Sequence, residues 1–473
     1  MRLGFTNAVT VVEVATAGEL QWLEAFLTFT SSVYRGRGYV QESWSMLEHR
    51  NGERAFLSGV LPLVERAGRM SGKPVEVVDR RVRPNGGVDR RVRPNGEVVL
   101  PGWLRPYQRE ALEVFTKKTR GILHHVTGSG KGTMACALMV SIRVRWLFLV
   151  HRGTIILQTA ERYRRLTGEN CGVIGDGAWS TDRVTFATFQ SLWARFGEPK
   201  VMELLSGIEG VIFDECHVLP SKCHVSLARS MRNAYWRCGT SGTPLDRSDE
   251  RSMLAVGLIG PVVHTFTAAE GEALGVLSRP VVRFVMCPQT WGRGAYYSRD
   301  GARYAALYRD LVARSVERDD LTIRIVKKAT KPCLVFVKSL EHGRRLTHAI
   351  SAAGFSCMFI EGKTAQAQRI RLISALEEGH VDVVVATVSL QEGADIPELR
   401  SVVNTAAGRS VIAALQRIGR GMRRAEGKTT FEVWDFYDLG STLEGQAKAR
   451  VRTMERAGHT VSLVDDSALD SPP

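Results

Sequence analysis

The chain has 473 residues, 44% of them apolar and 24% charged, which are ordinary values for a globular protein long enough to build more than one core. Its net charge of +15 points to a polyanionic partner, nucleic acid first. No apolar run approaches the ~18 residues of a membrane span, MRLGFTNAVTVVEV lacks a signal-peptide layout, and the eight scattered cysteines include no CxxC pair, so a cytoplasmic protein without structural zinc or membrane contact is expected.

Residues 1 to about 75 read as an ordinary globular segment. Leu20 to Phe29 carries apolar residues at mixed spacing, and FLSGVLPLV (56–64) reads as a turn into a helix. RGRGY (35–39) sets positive charge beside an aromatic, suited either to a phosphate contact or to an exposed hairpin tip. VDRRVRPNG at 78–86 recurs unchanged at 88–96, a tandem duplication in a surface hairpin, since two copies cannot make a solenoid. Its six arginines against two aspartates make either a DNA-facing arm or a solvated hairpin.

PGWLRPYQREAL (101–112) opens the next unit, and Gln108 is placed to read adenine, because an amide can pair with adenine N6 and N7 together. A short apolar strand and an apolar helix then flank HHVTGSGKGT (124–133). Strand, glycine-rich turn and helix make a phosphate cradle: Gly128 and Gly130 admit backbone amides to the phosphates, and Lys131 reaches the β/γ oxygens. His125 replaces the usual first glycine and Gly132 the usual Ser/Thr, displacing the Mg²⁺-holding hydroxyl to Thr133. FLVHRG (148–153), RVTFATF (183–189) and GVIFDE (210–215) read as buried strands separated by helical lengths, hence a parallel sheet. Asp214 at a strand end suits Mg²⁺ held through water, and Glu215 suits polarising the attacking water. A second α/β rhythm runs from PCLVFV (332–337) to FEVWD (431–435), with Arg420 and Arg423 one helical turn apart in QRIGRGMRR (416–424). DDSALDSPP closes the chain as a short acidic tail.

In this order the motifs, over about 101 to 460, resemble those of superfamily 2 helicases and translocases of the DEAD/DEAH type. LRPYQREAL resembles the Q-type motif, with Arg105 and Gln108 toward the nucleotide. TGSGKGT (Thr127, Gly128, Ser129, Gly130, Lys131, Gly132, Thr133) resembles motif I. VHRGTIILQ and ATFQSL resemble motifs Ia and Ib, which implies that His151, Arg152, Gln158, Thr188 and Gln190 contact nucleic acid. DECH resembles the DEAD/DEAH box, with His217 linking hydrolysis to lobe movement, and TSGTP (240–244) stands for motif III. LVFVKS (334–339) resembles motif IV. TVSLQEGADIP (387–397) resembles motif V, implying Thr387 near DNA and Gly393 and Asp395 near the nucleotide. QRIGRGMRR resembles motif VI, implying catalytic Gln416, Arg420 and Arg423. LRPYQ, VHR and SGTP are closer to double-stranded-DNA translocases, and FLSGVLPLV to the segment before the motor in phage UvsW-type and XPB-type helicases.

The resemblance implies an α/β protein: two tandem RecA-like parallel-sheet lobes at 101–265 and 266–462, a small N-terminal α+β accessory domain at 1–100, and a disordered acidic tail at 463–473. It implies an ATP hydrolase with ATP and Mg²⁺, remodelling duplex or branched DNA rather than RNA in repair, recombination or replication. The alternatives are an ATP-gated DNA clamp with weak hydrolysis, favoured by Gly132, and the motor subunit of a restriction or defence complex.

Overall fold

The computed structural model describes residues 1–34, 39–50, 52–84, 98–151, 153–175, 177–242, 252–287, 301–387, 396, 398–408, 427–440, 442–456 and 459–470. Two compact units emerge: Met1–Phe266 without Val126–Ser129, and Thr267–Pro473 with those four residues.

The first unit opens on β1 (Arg2–Phe5), β2 (Val9–Val14), α1 (Ala17–Leu27), β3 (Thr28–Tyr34), β4 (Tyr39–Ser45), β5 (Glu48–Arg50), β6 (Glu53–Leu57), α2 (Leu61–Met70) and β7 (Glu76–Asp79). Thr16 and Glu19 form a reciprocal capping box that starts α1, with hydrogen bonds of 3.3 and 2.8 Å. The sheet runs β5-β6-β2-β1-β7, and β3 with β4 makes a separate ladder. This N-terminal part does not keep a core of its own. One apolar cluster runs from Leu3, Phe56 and Val60 into Leu147, Phe213 and Leu258. A Cβ on Gly59 would stand 2.0 Å from the Val256 carbonyl oxygen, so only glycine permits that approach. Glu48 adds a fork to Arg229 at 2.5 and 2.8 Å.

In the first copy of the arginine repeat, two of the three arginines have partners within the unit. Arg80 pairs with Glu13 at 2.5 Å. Arg81 binds Asp79 and Thr119, with its guanidinium 4.6 Å over Phe5 and 4.7 Å over Tyr235. Valine-arginine alternation here lets the arginines fasten the strand end to the body. Arg80 and Arg83 of this copy are exposed while Arg81 is largely covered, and 85–97 lie outside the described residues.

After α3 (Pro106–Lys118) the first parallel sheet comprises β8 (Arg120–His125), β9 (Trp146–Val150), β10 (Gly172–Gly175), β11 (Ala178–Trp179), β12 (Val184–Thr188), β13 (Gly210–Phe213), β14 (Trp236–Ser241) and β15 (Val262–Phe266). Its order is β11-β10-β12-β9-β13-β14-β8-β15, antiparallel only at β11. Residues of β9, β12 and β13 are buried throughout, as sheets covered on both faces require. Helix α4 (Lys131–Ser141) follows β8, and α5 (Gly153–Thr167) follows β9.

The second unit holds a seven-stranded parallel sheet from β16 (Arg279–Cys287), β17 (Cys333–Val337), β18 (Cys357–Ile360), β19 (Val383–Thr387), β20 (Ser401–Asn404), β21 (Thr430–Asp438) and β22 (Val461–Val464), ordered β18-β19-β17-β20-β21-β16-β22. Both units therefore show the RecA-like α/β architecture. The expected disordered tail at 463–473 is corrected as far as Asp470. β22 pairs with β16, Leu469 is buried, and Arg324 binds the Asp470 carboxylate at 3.0 Å through Nε. A short apolar strand and one arginine partner outweigh the acidic composition. No helix among the described residues is long and apolar enough to cross a membrane.

Candidate nucleotide-binding site

The parallel strands β8, β13 and β14 bring their C-terminal ends to one edge of the first sheet, where open α/β sheets bind ligands. From β8 the chain turns into α4 through Gly128 (φ 93°) and Gly130 (φ 85°), both left-handed. Such a turn aims successive N–H groups inward as an anion nest, at the N-terminus of an 11-residue helix. Lys131 Nζ donates to the His125 carbonyl at 3.2 Å.

Asp214 and Glu215 follow β13 directly. Thr240 of β14 donates to Asp214 Oδ1 at 2.6 Å, and His217 Nδ1 lies 3.4 Å from both Ser241 Oγ and Glu215 Oε2. Burial first, then the Glu215 charge, pushes the Asp214 carboxyl up. Burial also opposes ionisation of Glu215, but Lys131 and His217 bring it down to about 2. The edge thus gathers one firmly ionised carboxylate, one proton-prone carboxylate and one lysine. Thr240 and Ser241 belong to the TSGTP stretch that stands for motif III, but the sequence did not single either out as a site residue. Their signal was available: TSGTP ends the strand next to the DECH strand.

Gln108 is 4% exposed, accepts from the Arg105 N–H at 3.1 Å, and directs Nε2 to within 2.5 Å of where a Gly130 Cβ would stand. It is thus in place beside the cradle, while Arg105 is exposed. His125 proves structural. It is fully buried, 3.0 Å from His264, and packs near the stacked pair Tyr107–Phe266 (centroids 4.0 Å). Burial, helped by His264 and Lys131, lowers it to about 3 and keeps it neutral. Thr133 Cβ lies 3.8 Å from the Gly130 Cβ position, on the Gln108 side. Thr127 and Ser129 lie in the turn, Ser129 fully buried.

Among the expected nucleic-acid contacts, Gln158 is exposed, and exposed His151 and Gln190 meet at 3.2 Å. Thr188 is 5% exposed, its hydroxyl accepting from Ser191 N–H at 3.0 Å as a helix cap, so that hydroxyl serves the fold. Thr387 is buried at the end of β19. Arg152, Gly393, Asp395, Gln416, Arg420 and Arg423 lie outside the described residues.

The glycine nest, Lys131 and the side-chain-free approach of Gln108 fit a nucleoside triphosphate. The oxygen donors of Asp214 and Glu215 fit Mg²⁺, although Gly132 supplies no hydroxyl. Fold and site together have the form of a P-loop nucleotide-binding protein with two RecA-like lobes. The model for the Type III restriction enzyme res subunit matches residues 102–246, and that for the helicase conserved C-terminal domain matches 317–425. In these two matches the chain resembles the superfamily 2 helicases. It is 26% identical over 374 residues to a Rad25 protein of Haloarcula marismortui, covering 78% of this chain and 58% of the relative. It is 24% identical over 357 residues to the ATP-dependent DNA helicase UvsW of enterobacteria phage T4, covering 72% and 68%. The fragment structure of an HsdR subunit of a type I restriction enzyme from Vibrio vulnificus shares the fold (TM-score 0.58, 16% identity, 93% of this chain and 92% of that one). The chain spans less than two thirds of the length of the first curated relatives it matches.

Proposed function

We propose that this protein is an ATP-dependent DNA helicase or translocase that remodels duplex or branched DNA. The observation that carries the reading is the convergence of Lys131, Asp214, Glu215 and His217 beside the glycine nest, with Thr240 holding Asp214 in place. Lys131 binds the β/γ-phosphates. Asp214 would hold Mg²⁺, and the metal when bound would neutralise developing phosphate charge. Glu215 orients the attacking water and accepts its proton, and His217 carries the change from Glu215 to Ser241 on β14. Gln108 reads the adenine. Roles for Gln416, Arg420, Arg423, Gly393 and Asp395, which lie outside the described residues, rest on the motif resemblance alone.

His151, Arg152, Gln158 and Gln190 meet the DNA backbone, and the net charge of +15 supports phosphate-led, sequence-independent binding. The named activities of the Rad25 and UvsW relatives support DNA over RNA. A second reading, an ATP-gated clamp with weak turnover, is favoured only by Gly132. ATP hydrolysis measured with duplex, branched and single-stranded DNA and with RNA separates the readings. The motor predicts strong stimulation by duplex or branched DNA that Lys131→Ala abolishes. Tight ATP and DNA binding without turnover would leave the clamp.

A further inference from the structure

Gly132 is the departure from the P-loop pattern, and the structure shows what stands in its space. A Cβ on Gly132 would lie 2.6 Å from Nη1 of Arg162, which reaches over from α5. The same guanidinium acts on Cys136, one turn further along α4, which places it along this face of the helix. Thr133 points about 100° away around the helix, on the Gln108 side, so it does not fill this position. Arg162 is half-buried, and its guanidinium forms no hydrogen bond or ion pair among the described residues. The positive end of α4 repels an unpaired cation placed there. An incoming polyphosphate removes that repulsion.

We propose that Arg162 is a phosphate-binding residue of this nucleotide site, entering through the space that Gly132 leaves open. This rests on the reading of the site as an ATP site. A planar guanidinium brings fixed charge and directed N–H donors to phosphate oxygens, where a serine or threonine hydroxyl would instead hold Mg²⁺. The consequence is nucleotide affinity that depends less on the metal than a P-loop hydroxyl would make it.

Equilibrium binding of a fluorescent ATP analogue, with Mg²⁺ and with EDTA, tests this on the full chain. Wild type retains binding in EDTA. Arg162→Gln, neutral and close in length, weakens binding roughly tenfold or more, most visibly in EDTA. Gly132→Ser pushes the Arg162 tip aside and supplies a hydroxyl, so binding becomes Mg²⁺-dependent although Arg162 is present. Circular dichroism confirms that both variants fold. Equal affinity of wild type and a folded Arg162→Gln in both buffers would overturn the proposal, as would a Gly132→Ser variant with unchanged metal dependence. Absence of wild-type binding in either buffer would instead overturn the ATP-site reading itself.

Discussion

Glu215 adopts φ 49°, a left-handed conformation that costs a non-glycine residue about 1–3 kcal/mol and persists where surroundings impose it. Here it turns the carboxylate toward Lys131 and His217. Replacing Glu215 with Gln should leave ATP binding near wild type while slowing hydrolysis by at least roughly a hundredfold, the usual scale for a lost general base. Filter binding and a phosphate-release assay read the two halves of that expectation, and full turnover in the variant would refute the assigned role. In the second unit, Arg318 and Asp438 meet at 2.5 Å with both side chains fully buried. Asp438→Asn leaves that guanidinium without its counter-charge and should cost about 3 kcal/mol or more in a denaturant melt. Residues at motif positions were legible in the chain: Lys131, Asp214 and Glu215, singled out there, lie at one edge of the first parallel sheet. Less visible were residues whose meaning depends on a neighbour distant in sequence. His125 reads as a broken P-loop until His264 and Phe266 appear beside it, and Thr188 reads as a DNA contact until it caps its own helix.

Between elements, the strands read in advance were those with unbroken apolar runs, because a strand buried on both faces needs them. Strand β16 escapes notice because Arg279, Pro280 and Arg283 interrupt its pattern, and β22 because four residues give little periodicity. The end of α5 is tied to the start of β12 by Glu169, which accepts from Tyr163 at 2.6 Å and Arg143 at 2.7 Å and also pairs with Arg183. Burial opposes its charge, but these three partners bring Glu169 from its ordinary 4.5 to about 2. Since the folded value lies below the unfolded one, the stabilisation is complete above about 4.5 and is lost as pH falls toward 2. Thermal melts of Glu169→Gln should therefore show lower stability at neutral pH and a flatter acid limb across that window. An acid limb identical to wild type would count against the clamp. The seam between the N-terminal sheet and the first parallel sheet is equally testable. Gly59→Ala forces a methyl group against the Val256 carbonyl and should cost about 1–3 kcal/mol in the same melts.

For the molecule as a whole, charge and motif order carry most of the functional reading. They point to a nucleic-acid motor, whereas composition gives no sign of the core shared by the N-terminal sheet and the first lobe. That sharing depends on close approach at Gly59 and Gly257, which no periodicity announces. The central claim is that ATP hydrolysis at Lys131, Asp214 and Glu215 drives movement on DNA, and a triplex-displacement assay on duplex DNA tests it most directly. The account predicts that wild type with ATP strips the third strand from the duplex, and that Lys131→Ala and Glu215→Gln leave it bound. A third strand that stays in place while wild type hydrolyses ATP on that DNA would contradict it.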